Sequence, residues 1–426
     1  MVRIKDRIVS RYYATPRQYD VVVYTESGHY YAKDRRGNLI CVDSPTACIQ
    51  EAVDALTPNR SWIETVLIRS GNYIINDTIM LDSFTRLVAH DAYLKLGNGV
   101  NKAMITNRNQ INGNTYIIIE GGTYDGNYQE NPSIPTALIN FVKGSIITIT
   151  DTTIKNTYNF ALKYNGGTLR AFRNWFLNNY AGVNLGGADH LFMHNYYSNN
   201  WSVDLLLSSG ASSFLGDYFG SNAANNVMVI ENATYNKFVG CVFSDASREN
   251  ILMRVNNTSL PVPRFNLFVG NLIAQWLNKK DNNTYSMVKI SYGTYNAFIG
   301  NMIASYPSTN IPMYILEELS TAGPNYFIDN TLVGKYGTAP VNLSGVNSVY
   351  KFRGLILSEN SGVAVLSVGS TRVTVNHNMG IKPNKILLTP GANIRVWYEN
   401  VTNTSFDIVT DTAPTSDVYI SWRAEL

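Results

Sequence analysis

Short runs in which apolar and polar residues alternate dominate this chain, and one such run recurs. Asn236-Lys-Phe238-Val-Gly240-Cys-Val-Phe243 is followed thirty residues later by Asn266-Leu-Phe268-Val-Gly270-Asn-Leu-Ile273. Thirty further on stands Asn296-Ala-Phe298-Ile-Gly300-Asn-Met-Ile303, and a worn copy sits at Asn325-Tyr-Phe327-Ile-Asp329-Asn-Thr-Leu332. Alternation of period two predicts strands. A shared period predicts a solenoid whose turns bury their faces against one another. Taking the residue after the glycine as an anchor extends the register upstream: Gly122, Asp151, Asn174, Asn195, Asp217, Cys241, Asn271, Asn301 and Asn330. Such spacing fits an all-β, right-handed parallel β-helix. The anchors are expected to take φ > 0, and stacked Asn side chains to bond from coil to coil. Phe192, Phe214, Phe238, Phe268, Phe298 and Phe327 are expected on one face, and Met193, Leu215, Val239, Val269, Ile299 and Ile328 on the other.

The ends read differently. Residues 1–45 form an entry module with strands at Tyr19–Tyr24 and His29–Lys33. Residues 46–356 are assigned to the β-helix. At its start, Ser44-Pro-Thr-Ala-Cys-Ile-Gln-Glu-Ala-Val-Asp-Ala-Leu56 has helical apolar spacing behind a Ser-Pro start, predicting a helix that caps the first coil. Beyond a linker near Leu355–Gly362, residues 362–426 alternate in six short strands between Gly, Pro and Asn turns, as in a small antiparallel β-sandwich.

The stretch "YDVVVY…YYAKD…IQEAVDAL…TVLIRSGNYIINDTIML", residues 19–81, resembles the opening of pectin-lyase-like right-handed β-helix proteins, including phage tailspikes and related archaeal and archaeal-virus proteins. The segment "VNHNMGIKPNKILLTP…TNTSFDI…DVYISWRAEL" resembles terminal modules of phage and archaeal-virus tail fibres. The resemblance implies the fold, and for the terminal module trimerisation or glycan binding. The reaction is not implied, because such folds carry lyases, hydrolases, epimerases and adhesins alike. The paired Asp with Gly-His-Gly and Arg-Ile-Lys of polygalacturonases is missing, as is the aspartate cluster of pectate lyases.

Composition narrows the partners. The chain has 426 residues, of which 45% are hydrophobic and only 15% charged, with net charge +3. Mixed signs give no footprint for nucleic acid. No apolar run is long enough to span a membrane. A polar, weakly charged surface suits a neutral or mildly acidic glycan. Met1-Val-Arg-Ile-Lys-Asp6 lacks an apolar signal core, which leaves the cytoplasm or a route such as virion assembly. Of three cysteines, Cys41 and Cys48 are close enough to pair, while buried thiols are the plainer reading. No Cys/His spacing points to a metal, and no cofactor is expected.

Candidate chemistry concentrates in residues 151–254, where charges enter a neutral repeat. Two carboxylates on neighbouring coils are what glycoside hydrolysis requires. The candidates are Asp189, Asp204, Asp217 and Glu231, with Asp204 and Asp217 the preferred pair. Asp204, Asn226 and Asn250 are expected in one column. Trp175, Tyr180, Tyr196 and Trp201 suit sugar stacking, with His190 and Arg254 as polar contacts. Ladder or turn roles for the aspartates, a loop bond for Asp189 and His190, and an ion-pair face for Arg254 are the competing explanations. Two functions follow: a virion or extracellular-surface β-helix that binds and cleaves host polysaccharide, or a non-catalytic receptor-binding fibre. An outward apolar column predicts an oligomer, most simply a homotrimer.

Overall fold

The computed structural model describes residues 19–220, 225–277, 284–307, 309–354 and 359–425. Met1–Asp6 and part of the expected linker lie outside them. The chain forms two compact units, residues 1–237 and 238–426. Both carry coils of a right-handed parallel β-helix.

In the N-terminal unit a meander of β1 (Val21–Glu26), β2 (His29–Asp34) and β3 (Leu39–Asp43) comes first. β1 pairs antiparallel with β2 and parallel with Glu64–Ile68, the first solenoid strand. The meander therefore covers the edge that the first coil would otherwise leave open. Helix α1 (Pro45–Asp54) follows, capped by the Ser44 side chain accepting from the Ala47 N–H, with proline in its first turn. Its buried face is Cys48, Ile49, Ala52 and Val53. A disulfide joins Cys41 to Cys48 and ties β3 to α1, so the buried-thiol reading holds only for Cys241.

A coil typically has three strands, although in the last coils the first two run together as Tyr326–Gly334. The first two share one sheet, and the third strands form another. Inward side chains stack in register: Phe176, Tyr197 and Phe219 lie with ring centroids 4.8 and 4.6 Å apart. Each such burial stabilises by about 2–3 kcal/mol. In the C-terminal unit Phe238, Phe268, Phe298 and Phe327 stack at 4.6, 4.4 and 5.2 Å. Their sequence neighbours point outward, with Val239 40% and Ile299 37% exposed. Period-two alternation thus separates the two apolar columns as expected.

The anchors need two corrections. Gly122 is left-handed as expected, but in general the left-handed residue is the one before the anchor: Gly121, Arg173, His194, Gly216, Gly240, Gly270, Gly300 and Asp329 all have positive φ. Asp151 itself has φ 58, so it belongs to that slot, and Thr152 is the true anchor of its coil. Pairing of Thr153 with Trp175 fixes this register. The slot tolerates several residue types, so a count based on residue type slipped by one. Asn226 likewise pairs with Val203, so Asp204 and Asn226 do not share a column.

The anchors are buried and build ladders. Asn174 Oδ1 accepts from the Thr152 N–H and hydroxyl, and Asn195 Oδ1 accepts from the Asn174 N–H and Nδ2. Asn271, Asn301 and Asn330 repeat the pattern in the C-terminal unit. The first Asn of the repeat builds a parallel ladder through Asn266, Asn296 and Asn325.

Residues 359–425 form two three-stranded antiparallel sheets. Glu359–Leu366, Val418–Glu425 and Lys385–Pro390 make one; Arg372–Asn376, Ser405–Thr410 and Val396–Glu399 make the other. They close over Leu366, Met379, Phe406, Ile408, Ile420 and Trp422 as a small sandwich.

Candidate functional site

The outward face of the second strands in the N-terminal unit gathers most of the aromatic candidates. Tyr93, Thr123, Thr153, Trp175, Tyr196 and Tyr218 occupy facing positions on six successive coils. Trp175 and Tyr196 lie 4.7 Å apart, and Tyr196 and Tyr218 4.8 Å apart and nearly parallel. The two tyrosines spend their ring faces on one another. Trp175 ends the aromatic run on the Thr153 side and is 49% exposed. An exposed indole suits the apolar side of a pyranose.

A second aromatic column stands at the next corner. Asn156, Asn178 and Asn199 take left-handed φ, and Tyr158, Tyr180 and Trp201 follow each of them by two residues. Tyr158 and Tyr180 stack at 6.1 Å, and Tyr128 meets Trp201 edge-on at 5.0 Å. All three column members are exposed.

Between Tyr93 and Trp175 only Thr123 and Thr153 stand in the row. Three strand spacings separate the aromatic positions, about 14 Å. Polar groups line both sides of this slot. On one side the Tyr93 hydroxyl donates to Asp125 at 2.5 Å, Asn156 donates to the same carboxylate at 2.9 Å, and Lys155 lies 3.8 Å from it. Burial, then this bond, holds the Tyr93 phenol well above its ordinary range. On the corner side Glu120 accepts from Arg86 at 2.5 Å and faces His90 at 3.1 Å. One coil further, Arg173 donates to both Asp151 oxygens at 2.6 and 2.7 Å. Burial pushes the Asp151 carboxyl up, but bonds from Arg173 and Thr150 outweigh it and hold the group below the ordinary 3.8.

The expected carboxylates do not join this site. Asp217 is fully buried and ends the ladder: its Oδ1 accepts from the Asn195 N–H at 2.7 Å and from Asn195 Nδ2 at 2.8 Å. Its other oxygen is buried with no partner among the described residues. Asp204, also fully buried, sits in the same coil as Asn200 of the Thr157–Asn179–Asn200 ladder and accepts from Asn200 Nδ2 at 2.7 Å. An acid sealed inside a coil cannot protonate a glycan outside it, so the Asp204–Asp217 pair does not fit the expected catalytic geometry. Glu231 is buried on a third strand. Asp189 is exposed, at a different corner.

His190 is buried: the Leu169 N–H donates to its Nδ1, and its Nε2–H donates to the Gly186 carbonyl. Burial pushes its pKa down to about 4, which makes it a neutral structural bridge. Arg254 is exposed in the C-terminal unit. Trp175, Tyr180, Tyr196 and Trp201 are outward, in two columns. Tyr93, Glu120, Asp125 and Tyr158 escaped the sequence reading, and Asp151 was read there only as an anchor, although the thrice-repeated Asn-x-Tyr/Trp at 156, 178 and 199 was a usable signal. Among the described residues no acid, His and Cys cluster suits a metal ion.

No protein-family model and no curated protein sequence matches the chain. Solved structures do. The mannuronan C-5 epimerase AlgE4 A-module of Azotobacter vinelandii matches at 13% identity and TM-score 0.53, over 72% of this chain and 96% of that one. The Streptococcus pneumoniae surface protein and adhesin PfbA matches at 12% identity and TM-score 0.51, over 73% and 93%. Geobacillus virus E2 ORF18 matches at 14% identity and TM-score 0.50, over 68% and 58%. The chain has the pectin-lyase-like right-handed parallel β-helix fold. No helix among the described residues is long and apolar enough to cross a membrane.

Proposed function

We propose that this protein is a virion or extracellular-surface β-helix that binds polysaccharide on the outward aromatic face of its N-terminal unit. The observation that carries the reading is the Trp175 ring, exposed and ending a stack beside the threonine-floored slot. The Cys41–Cys48 disulfide agrees with an oxidising exterior. The fold alone leaves the activity open, since the structures that share it include an epimerase and an adhesin. Binding without cleavage is the simpler form, because both preferred carboxylates serve ladders. The test is a glycan array or pull-down against host-envelope polysaccharide. Trp175→Ala and Tyr180→Ala are expected to weaken retention at least tenfold while circular dichroism stays unchanged. Equal retention by both variants would refute the reading.

Cleavage is a second reading, favoured by Glu120 and Asp151, which border the slot on adjacent coils. Ionised Asp151 would then serve as base or nucleophile. A reducing-end assay on wild type and Asp151→Asn separates the two readings: no release of ends by wild type leaves the adhesin. In the C-terminal unit the outward column of Val239, Val269, Ile299 and Ile328 supports a homo-oligomer, most simply a trimer. A monomer by light scattering at micromolar concentration would remove it.

A further inference from the structure

Lys289, Glu317 and Asn342 occupy facing, outward positions on three consecutive third strands of the C-terminal unit, Val288–Ile290, Leu316–Glu318 and Val341–Leu343. Their contacts form a directed set. Lys289 Nζ lies 3.1 Å from Glu317 Oε2, and the Ser286 hydroxyl donates to that oxygen at 2.8 Å. Asn342 Nδ2 donates to Glu317 Oε1 at 3.4 Å. The Ser344 hydroxyl donates to Asn342 Oδ1 at 3.2 Å. An amine and a carboxamide are therefore held on the two oxygens of one carboxylate, and the amide carbonyl carries a hydroxyl donor. The side chains are largely withdrawn from water, Lys289 being 28% and Glu317 9% exposed.

These are the parts of an acyl transfer: nucleophile, base, electrophile and a donor for the developing oxyanion. We propose that Lys289 and Asn342 join in an intramolecular amide bond, with Glu317 as the proton shuttle. Lys289 first yields a proton to Glu317. Its free amine adds to Asn342 Cγ, and the carbonyl electron pair moves onto Oδ1, where Ser344 donates to it. Glu317 hands its proton to Nδ2 and takes another from the attacking nitrogen. The carbonyl re-forms, the Cγ–Nδ2 bond breaks, and ammonia leaves, taking up the remaining proton as ammonium. One Nζ–Cγ bond replaces one Cγ–Nδ2 bond, with no oxidant or cofactor. The product is a covalent staple spanning three strands of one sheet.

Intact mass spectrometry of the purified full-length chain tests this. Wild type is expected to weigh less than its sequence by one ammonia, and a protease digest to yield one branched peptide joining the segments around Lys289 and Asn342. Glu317→Gln and Lys289→Arg are expected to keep the full mass. A wild-type chain at full sequence mass after prolonged incubation overturns the proposal, whatever the variants do. Loss of ammonia that persists in Lys289→Arg also overturns it, because cyclisation of an asparagine alone would then explain the mass.

Discussion

Asp217→Asn should stabilise this protein, and the gain should depend on pH. In the ladder each asparagine Nδ2 donates to a carbonyl one coil back: Asn174 to Ile149 at 2.9 Å and Asn195 to Ala171 at 2.9 Å. Register makes Phe192 the next residue in that carbonyl row. Asp217 has an oxygen where the donor belongs, and that oxygen has no partner among the described residues. Burial, opposed by the bonds from Asn195, pushes its pKa up from 3.8 to about 7. The folded state therefore keeps a proton that the unfolded chain releases above 3.8. The stability tied to that proton is complete below 3.8 and is lost as pH rises towards 7, a change of about 4 kcal/mol. An amide needs no proton. The variant should match wild type near about pH 4 and exceed it by up to about 4 kcal/mol near about pH 8. Urea unfolding of both proteins at the two pH values measures the difference, and other titrating groups cancel. A variant less stable at the higher pH, or a gap independent of pH, would refute the ladder argument.

Asn301→Ala removes two donated and two accepted bonds inside a coil, and should cost about 3 kcal/mol or more by urea midpoint. Gly187→Ala should cost about 3 kcal/mol or more, because the added Cβ would sit 1.8 Å from the Gly166 carbonyl oxygen at φ +86. Gly240→Ala, at φ +63 with nothing within 4 Å, should cost only about 1 kcal/mol. Reduction of Cys41–Cys48 should lower the stability of the N-terminal unit by about 2 kcal/mol, seen as earlier exposure of α1 in hydrogen exchange.

The coil pattern was legible because each coil repeats one demand: an inward aromatic, a left-handed corner, a buried amide. Phe238, Phe268 and Phe298 announce it at constant spacing. The site was less legible because it needs register between coils of unequal length. Tyr93 and Trp175 border one slot, yet the intervening coils differ in loop length, so no fixed interval links them. Asp204 and Asp217 misled for a chemical reason. A sequence presents them as acids, whereas inside the coil they act as buried acceptors for ladder amides, Asp204 for Asn200 and Asp217 for Asn195. Lys289, Glu317 and Asn342 lay hidden for the first reason again: only strand pairing brings them into line.

An asparagine rung both gives and takes, so a coil built on one can be copied without upsetting its neighbours. Asn174 and Asn195 could each be followed by another of their kind, and the solenoid of the N-terminal unit would lengthen by one turn. An ionised aspartate rung only takes, and it can give only while it holds a proton. A copy placed after Asp217 would set carboxylate against carboxylate, so it works as a full stop in a sentence that asparagines would let run on. Coil number is thus editable upstream of Asp217 and fixed at it, and designers who want a longer binding face should insert between residues 174 and 195.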